Sequence, residues 1–204
     1  RRQRQMCIRD RKLNPAISKI CLLPRKITGI LYMYDYVNQE EMTMQYDVLI
    51  VGGGPGGIYS AYELLKKRPD LKIALFEAGH ALSRRHCPID GDKVKSCVKC
   101  PTCAIMNGFG GAGAFSDGKY NITNQFGGTL HEHIGKKRAL ELMEYVDQIN
   151  VENGGQGTHL YSTGATPIKK LCLENDLHLL DASVRHLGTD KNLVVLEHLY
   201  NCLL

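Results

Sequence analysis

An α/β fold that opens with a β-α-β unit of a parallel sheet is what this 204-residue sequence predicts. Three observations carry the prediction. Tyr46-Asp47-Val48-Leu49-Ile50-Val51 is a short apolar run of the kind a buried parallel strand uses. Gly52-Gly53-Gly54-Pro55-Gly56-Gly57 follows at once, with Gly52, Gly54 and Gly57 in G-x-G-x-x-G register. A second run, Lys72-Ile73-Ala74-Leu75-Phe76, alternates like a strand and delivers Glu77, 20 residues after Gly57.

Each part of this unit has a physical task. A helical pattern over residues 58–67 sets Ala61, Leu64 and Leu65 on its apolar side, and Pro69-Asp70 ends it. Gly52 allows the tight turn out of the strand, and Gly54 lets backbone N–H groups approach a pyrophosphate. Gly57 lets helix and strand pack closely. Pro55 and Gly56 complete the loop, and the helix N-terminus adds positive potential for phosphates. Glu77 is placed to accept hydrogen bonds from the adenosine ribose hydroxyls. A glycine motif alone is weak evidence, because glycine-rich turns are common. Strand, loop, helix, second strand and terminal acid in that order predict a Rossmann-like FAD/NAD(P)-binding fold. The acid argues against NADP and leaves NAD and FAD open.

Further along, residues 138–150 form an amphipathic pattern with Ala139, Leu142, Val146 and Ile149 on one face. Thr166-Pro167 opens a helix over 166–175. Residues 177–184 read as a strand, and Thr189 caps a last helix bearing Leu193, Leu196, Tyr200 and Leu203.

Composition narrows the function classes. With 43% hydrophobic and 23% charged residues the chain is globular rather than disordered. The net charge of +5 sits entirely in residues 1–43, which hold nine Lys/Arg against four Asp/Glu, while 17 basic and 17 acidic residues balance in the remainder. The folded part therefore lacks the basic footprint of a nucleic-acid binder. No apolar run approaches the roughly 18 to 20 residues of a membrane span. Lys19, Arg25 and Lys26 interrupt any signal-peptide core. The expectations are no nucleic-acid partner, no membrane span and a cytoplasmic location.

The leading segment reads differently from the rest. Gln5-Met6-Cys7-Ile8-Arg9-Asp10 resembles a translated transposase sequencing adapter, and Met44 is the start codon the reading selects. Residues 1–43 are expected to be a non-native leader, adapter-like sequence followed by upstream translation. A basic arm is the functional alternative.

Residues 108–119 carry a second glycine concentration, Gly108-Phe109-Gly110-Gly111-Ala112-Gly113-Ala114-Phe115-Ser116-Asp117-Gly118-Lys119. Small residues here permit close backbone approach to a ligand, and Ser116 and Asp117 add polar contacts; the bland alternative is a tight connecting loop. YDVLIVGGGPGG, LFEAG, CAIMNGFGGAGAFSDGK and VRHLGTD together resemble an uncharacterised family of bacterial FAD-dependent dehydrogenases within the FAD/NAD(P)-binding superfamily. The resemblance implies that the first βαβ unit holds the ADP half of FAD. It also implies that Gly110, Gly111, Gly113 and Ser116 lie along the pyrophosphate and flavin side. Members of that family are much longer, so residues 44–204 are expected to be a truncated, N-terminal part of an FAD-binding domain with a Cys-rich insertion.

That insertion contains Cys97-Val98-Lys99-Cys100-Pro101-Thr102-Cys103, with Cys87 ten residues upstream of Cys97. Thiolates at C-x2-C-x2-C spacing suit a zinc ion or an iron–sulfur cluster, with Cys87 the candidate fourth ligand. Reduced thiols or a redox pair near flavin are the alternatives. Arg185-His186-Leu187-Gly188-Thr189 is either a cofactor contact or a strand-to-helix turn, and His131, His133 and His159 read as solvated loop residues. No catalytic base or nucleophile stands out.

The resulting functional expectation is an FAD-dependent oxidoreductase, a dehydrogenase moving electrons or hydride between flavin and a small-molecule substrate or redox partner, with NAD(P)H as a possible electron donor. An NAD-binding dehydrogenase without flavin and a non-catalytic, Cys-rich metal-binding interaction module are the alternatives.

Overall fold

The computed structural model describes the backbone of Ile27–Tyr32 and residues 45–164 and 166–204. The rest of the 1–43 leader, including Cys7, Cys21 and the adapter-like run, lies outside the described residues. Contacts divide the chain into two units, residues 1–112 with 199–204, and residues 113–198.

The first unit is α/β and Rossmann-like. Its strands β1 (Ile27–Tyr32), β2 (Val48–Val51) and β3 (Ile73–Glu77) form a parallel sheet in the order β1-β3-β2. Val48 pairs with Ile73 and Val51 with Phe76, and Tyr32 pairs with Glu77. Between β2 and β3 runs helix α1 (Pro55–Lys67), the crossover that two parallel strands require. It buries Ile58, Ala61, Tyr62 and Leu65, which recur at helical spacing and face the sheet. In β3, Ile73, Ala74 and Leu75 are fully buried, as a strand between two neighbours should be.

Two details depart from the sequence reading. The strand β1 occupies part of the stretch assigned to the leader, where no element was expected. The strand β2 was expected to be buried, yet Leu49 is 60% and Val51 87% exposed. Among the described residues it has a strand on one side only, and the face that carries Leu49 and Val51 is left uncovered.

The second unit has its own sheet. Strands β4 (Lys119–Ile122), β5 (Leu160–Ser162) and β6 (Ser183–His186) are antiparallel in the order β4-β6-β5. Helices α2 (Leu130–Ile134), α3 (Lys136–Asn150) and α4 (Ile168–Glu174) accompany it, and α5 (Gly188–Leu203) crosses the division at Leu199. The strand expected at 177–184 instead forms at 183–186. Before it, the Leu177 N–H turns back to the Cys172 carbonyl at 2.8 Å. Just before α4, Thr166 Oγ1 accepts the Ile168 N–H at 3.3 Å, and Pro167 is the residue at the helix start. On α3 the buried positions include Asp147 and Asn150 besides Ala139 and Ile149. Asp147 is buried because it pairs with Arg185, at 2.6 Å from Nε and 2.8 Å from Nη2. No described helix is long and apolar enough to cross a membrane.

Candidate functional site

The glycine loop is built as the chain's spacing requires. The Gly52 N–H donates to the Phe76 carbonyl at 2.7 Å, tying the loop's start to the end of β3. Gly54 is the extended residue preceding α1, with φ −79° and ψ −177°, and its carbonyl accepts the first helical bond from Ile58 at 3.0 Å. Pro55 opens the helix. The N-terminus of α1 has no side-chain cap and no acidic residue in its first turn, and Pro55 and Gly56 are exposed there. Such an end presents backbone donors and positive potential to an anion.

Gly54 and Gly57 differ in what surrounds them. A Cβ added at Gly57 would lie 1.9 Å from the Gly52 carbonyl oxygen, so only glycine fits this helix–strand approach. A Cβ added at Gly54 would meet no described residue within 4 Å. The first glycine closes the fold, and the second leaves open space.

Glu77 is only 6% exposed, and its carboxylate is the hub of the site. It accepts three backbone N–H groups, from Gly53 at 2.6 Å on Oε2 and from Gly79 at 2.8 Å and Gly108 at 2.9 Å on Oε1. One side chain thus joins the first glycine loop, the exit from β3 and the second glycine segment. A carboxylate offers about four lone-pair sites, so these bonds leave about one for a ligand hydroxyl.

The second segment reaches the first loop through its leading residues. The Gly110 N–H donates to the Gly53 carbonyl at 2.7 Å, and a Cβ on Gly111 would stand 3.5 Å from the Gly54 Cα. Gly113 and Ser116 belong to the second unit. There the Gly113 carbonyl accepts from Asn192 Nδ2 at 2.9 Å and from the Ser116 N–H at 3.1 Å, while Ser116 Oγ accepts the Gly118 N–H at 3.2 Å. Asn192 is itself buried and accepts the Tyr120 hydroxyl at 2.7 Å. Burial pushes that phenol above its ordinary pKa. This half of the glycine-rich stretch is held by its own packing, and Ser116 is engaged in its own turn.

Arg85 is a member of the first unit that sequence reasoning missed. It is 3% exposed and donates from Nε to the Ala104 carbonyl at 2.9 Å, from Nη2 to Ile105 at 2.8 Å and from Nη1 to Phe109 at 2.7 Å. Burial pulls its guanidinium below the ordinary arginine value, and the negative charge of Glu77 works in the opposite direction. No spacing rule marks an arginine whose acceptors are carbonyls about 20 residues away.

The cysteines do not form the expected centre. Among the described residues, no group of three or more His, Cys, Asp or Glu side chains is arranged to hold a metal ion. Cys97, Cys100 and Cys103 are free thiols, with Cys97 exposed. Lys99 takes a left-handed φ of 53° and donates its N–H to Cys97 Sγ at 3.4 Å, and the Cys103 carbonyl accepts from Met106 and Asn107. The residues present therefore do not fit a four-thiolate site. Arg185 likewise serves structure, since Asp147 and the Thr158 carbonyl occupy its guanidinium. Its pKa is raised by that hydrogen bonding to Asp147.

A model of the Thi4 family matches residues 31–84, the segment that contains β2, α1 and β3. The thiamine thiazole synthase of Phaeosphaeria nodorum is 50% identical over 46 residues, 22% of this chain and 14% of that protein. Those of Yarrowia lipolytica (48% over 46 residues) and Eremothecium gossypii (57% over 35 residues) cover similarly small shares, 22% and 17% of this chain. The matched region spans about one seventh or less of the relatives' own length. These relatives are fungal and carry a named activity, so they support a dinucleotide-fold family without supporting a bacterial or uncharacterised one. No solved structure matches the chain.

Proposed function

We propose that this chain binds FAD through the cradle of Gly52, Gly54, Pro55, Gly56 and Gly57, Glu77, Gly110 and Gly111, as the dinucleotide-binding portion of an FAD-dependent oxidoreductase. The observation that carries this reading is the pairing of open space at Gly54 with an uncapped helix N-terminus directly behind it. A pyrophosphate needs both, room beside the backbone and donors pointing into it. Glu77 holds the loop in shape and keeps about one acceptor position for a ribose hydroxyl.

Bound flavin would supply the redox chemistry through its isoalloxazine ring. The chain's own residues bind and orient the ADP half. A small-molecule substrate or redox partner and an NAD(P)H donor belong to the same reading, as does a cytoplasmic setting. No step is assigned to zinc or an iron–sulfur cluster, because the thiols do not converge.

The similarity to thiamine thiazole synthases favours a second reading, an enzyme that uses the same cradle for thiazole synthesis. Both readings place a dinucleotide in this cradle, so the first experiment is shared. Equilibrium dialysis of the full chain against FAD and against NAD should give saturable FAD binding. Saturation by NAD alone would transfer the cradle to the non-flavin alternative, and saturation by neither would remove the dinucleotide reading.

A further inference from the structure

We propose that Arg85 is a positioning residue for the dinucleotide cradle, acting through the peptide group that joins Phe109 to Gly110; this rests on the reading of the glycine loops as a dinucleotide site. The Arg85 Nη1 donates to the carbonyl of that peptide at 2.7 Å, and the N–H of the same peptide donates to the Gly53 carbonyl at 2.7 Å. One planar unit is therefore gripped at both ends, by a buried cation on one side and by the first glycine loop on the other. A cation on the carbonyl polarises the amide and strengthens the bond its N–H makes, because hydrogen bonds in series reinforce each other.

The neighbouring atoms show that the grip is directional. The Phe109 N–H donates to the His80 carbonyl at 3.0 Å, the Phe109 side chain is fully buried, and its ring meets Tyr200 edge-on at 5.0 Å. Gly108 has a left-handed φ of 118°, and a Cβ there would lie 2.6 Å from Arg85 Cδ, so the arginine stem and the glycine backbone lie against each other. Nε and Nη2 bind the carbonyls of Ala104 and Ile105, which brings the approach to Gly108 around the same side chain. Glu77 takes the Gly108 N–H. The second segment is thereby set on Gly53 and Gly54 by a buried acid and a buried base, one on N–H groups and the other on carbonyls. Lysine would keep the charge and lose the fork of donors that reaches three carbonyls at once.

The test uses the full chain, wild type and Arg85→Lys, with Arg85→Gln as a second variant. Two quantities are measured, FAD affinity and amide hydrogen exchange at Gly110 and Leu75. For Arg85→Lys we expect FAD affinity to fall about tenfold, the size of one charge-assisted hydrogen bond. Gly110 should lose protection in the ligand-free chain while Leu75, in the centre of β3, keeps it. A merely structural arginine would lower protection at both positions together, and that result overturns the proposal. So does a Lys variant whose Gly110 protection and FAD affinity match wild type. If neither lysine nor glutamine folds, a wild-type Gly110 amide that exchanges as freely as an exposed one overturns the grip, and a protected one sustains it. Failure of the wild-type chain to bind FAD counts against the function proposed above, whereas the exchange data test the grip without ligand.

Discussion

The glycine loop of residues 52–57 and the cysteine segment of residues 87–103 are both short motifs with recognisable spacing, and they end differently. The glycine loop is flanked by β2 and α1, and β3 brings Glu77 against it, so its geometry follows from elements on either side. The cysteine segment has only a three-residue turn, Leu82–Arg84, before it and no helix or strand within it. Its thiols would have to meet by the folding of an irregular loop, and among the described residues they form no group of three that could hold a metal ion. A motif whose chemistry resides in backbone groups is realised once its flanking elements form. One whose chemistry needs several side chains to converge depends on everything between them.

The largest effect that would break this comparison is expected at Gly57. Valine there would drive a Cβ into the Gly52 carbonyl, and overpacking of this kind costs about 3 kcal/mol or more when the opposing atom is backbone. Thermal unfolding of Gly57→Val should show a large loss or no cooperative transition. A wild-type melting curve would mean that the close approach of loop and helix does not exist.

Glu77→Ala should come next. It removes the acceptor of three buried N–H groups and the negative charge facing Arg85, for an expected loss of about 2 to 4 kcal/mol once water enters the space. Glu77→Gln should recover part of it by keeping one carbonyl oxygen. Denaturant titration of both variants checks the order; equal stabilities for alanine and wild type would dismiss Glu77 as the hub. Because the fold is affected, a drop in FAD affinity in the alanine variant would not by itself prove a ribose contact.

Gly54→Ala sharpens the comparison without that ambiguity. The new methyl group meets none of the described residues and the backbone there is ordinary for an alanine, so stability should stay within about 0.5 kcal/mol. FAD affinity should nevertheless fall about tenfold or more, corresponding to at least about 1.4 kcal/mol. Unchanged affinity would move the pyrophosphate away from this loop.

The smallest effect belongs to the cysteines. Cys100→Ser should leave both metal content and melting temperature unchanged, and the Cys97 and Cys100 thiols should react with a labelling reagent in the folded chain. Stoichiometric zinc or iron that disappears in this variant would restore the metal centre and show that the loop closes around its ion.

The second glycine segment was legible only in part. Its residues announced close packing, but two different kinds were present. Gly110 and Gly111 lie on the first loop, whereas Gly113 is bonded to Asn192 and Ser116 is spent in its own turn. Glycine tolerates close approach by a ligand and by protein alike, so composition cannot separate the two. Of the β4-β6-β5 sheet only one strand was expected, at 177–184, for a related reason. Its strands are three or four residues long, too short for an alternating pattern to rise above the surrounding polar sequence.

The sequence by itself determined the β2-α1-β3 unit, the turn into the helix and the acid at the end of β3. Those features rest on local quantities: apolar periodicity, the absence of a Cβ, and the fixed φ of a proline at a helix start. The tertiary structure alone decided what Glu77 binds, since its partners Gly53 and Gly108 lie 24 and 31 positions away. It also decided that Arg85 is a buried hub. Each depends on hydrogen-bond partners that only the packed chain brings within about 3 Å, a distance no spacing along the sequence encodes.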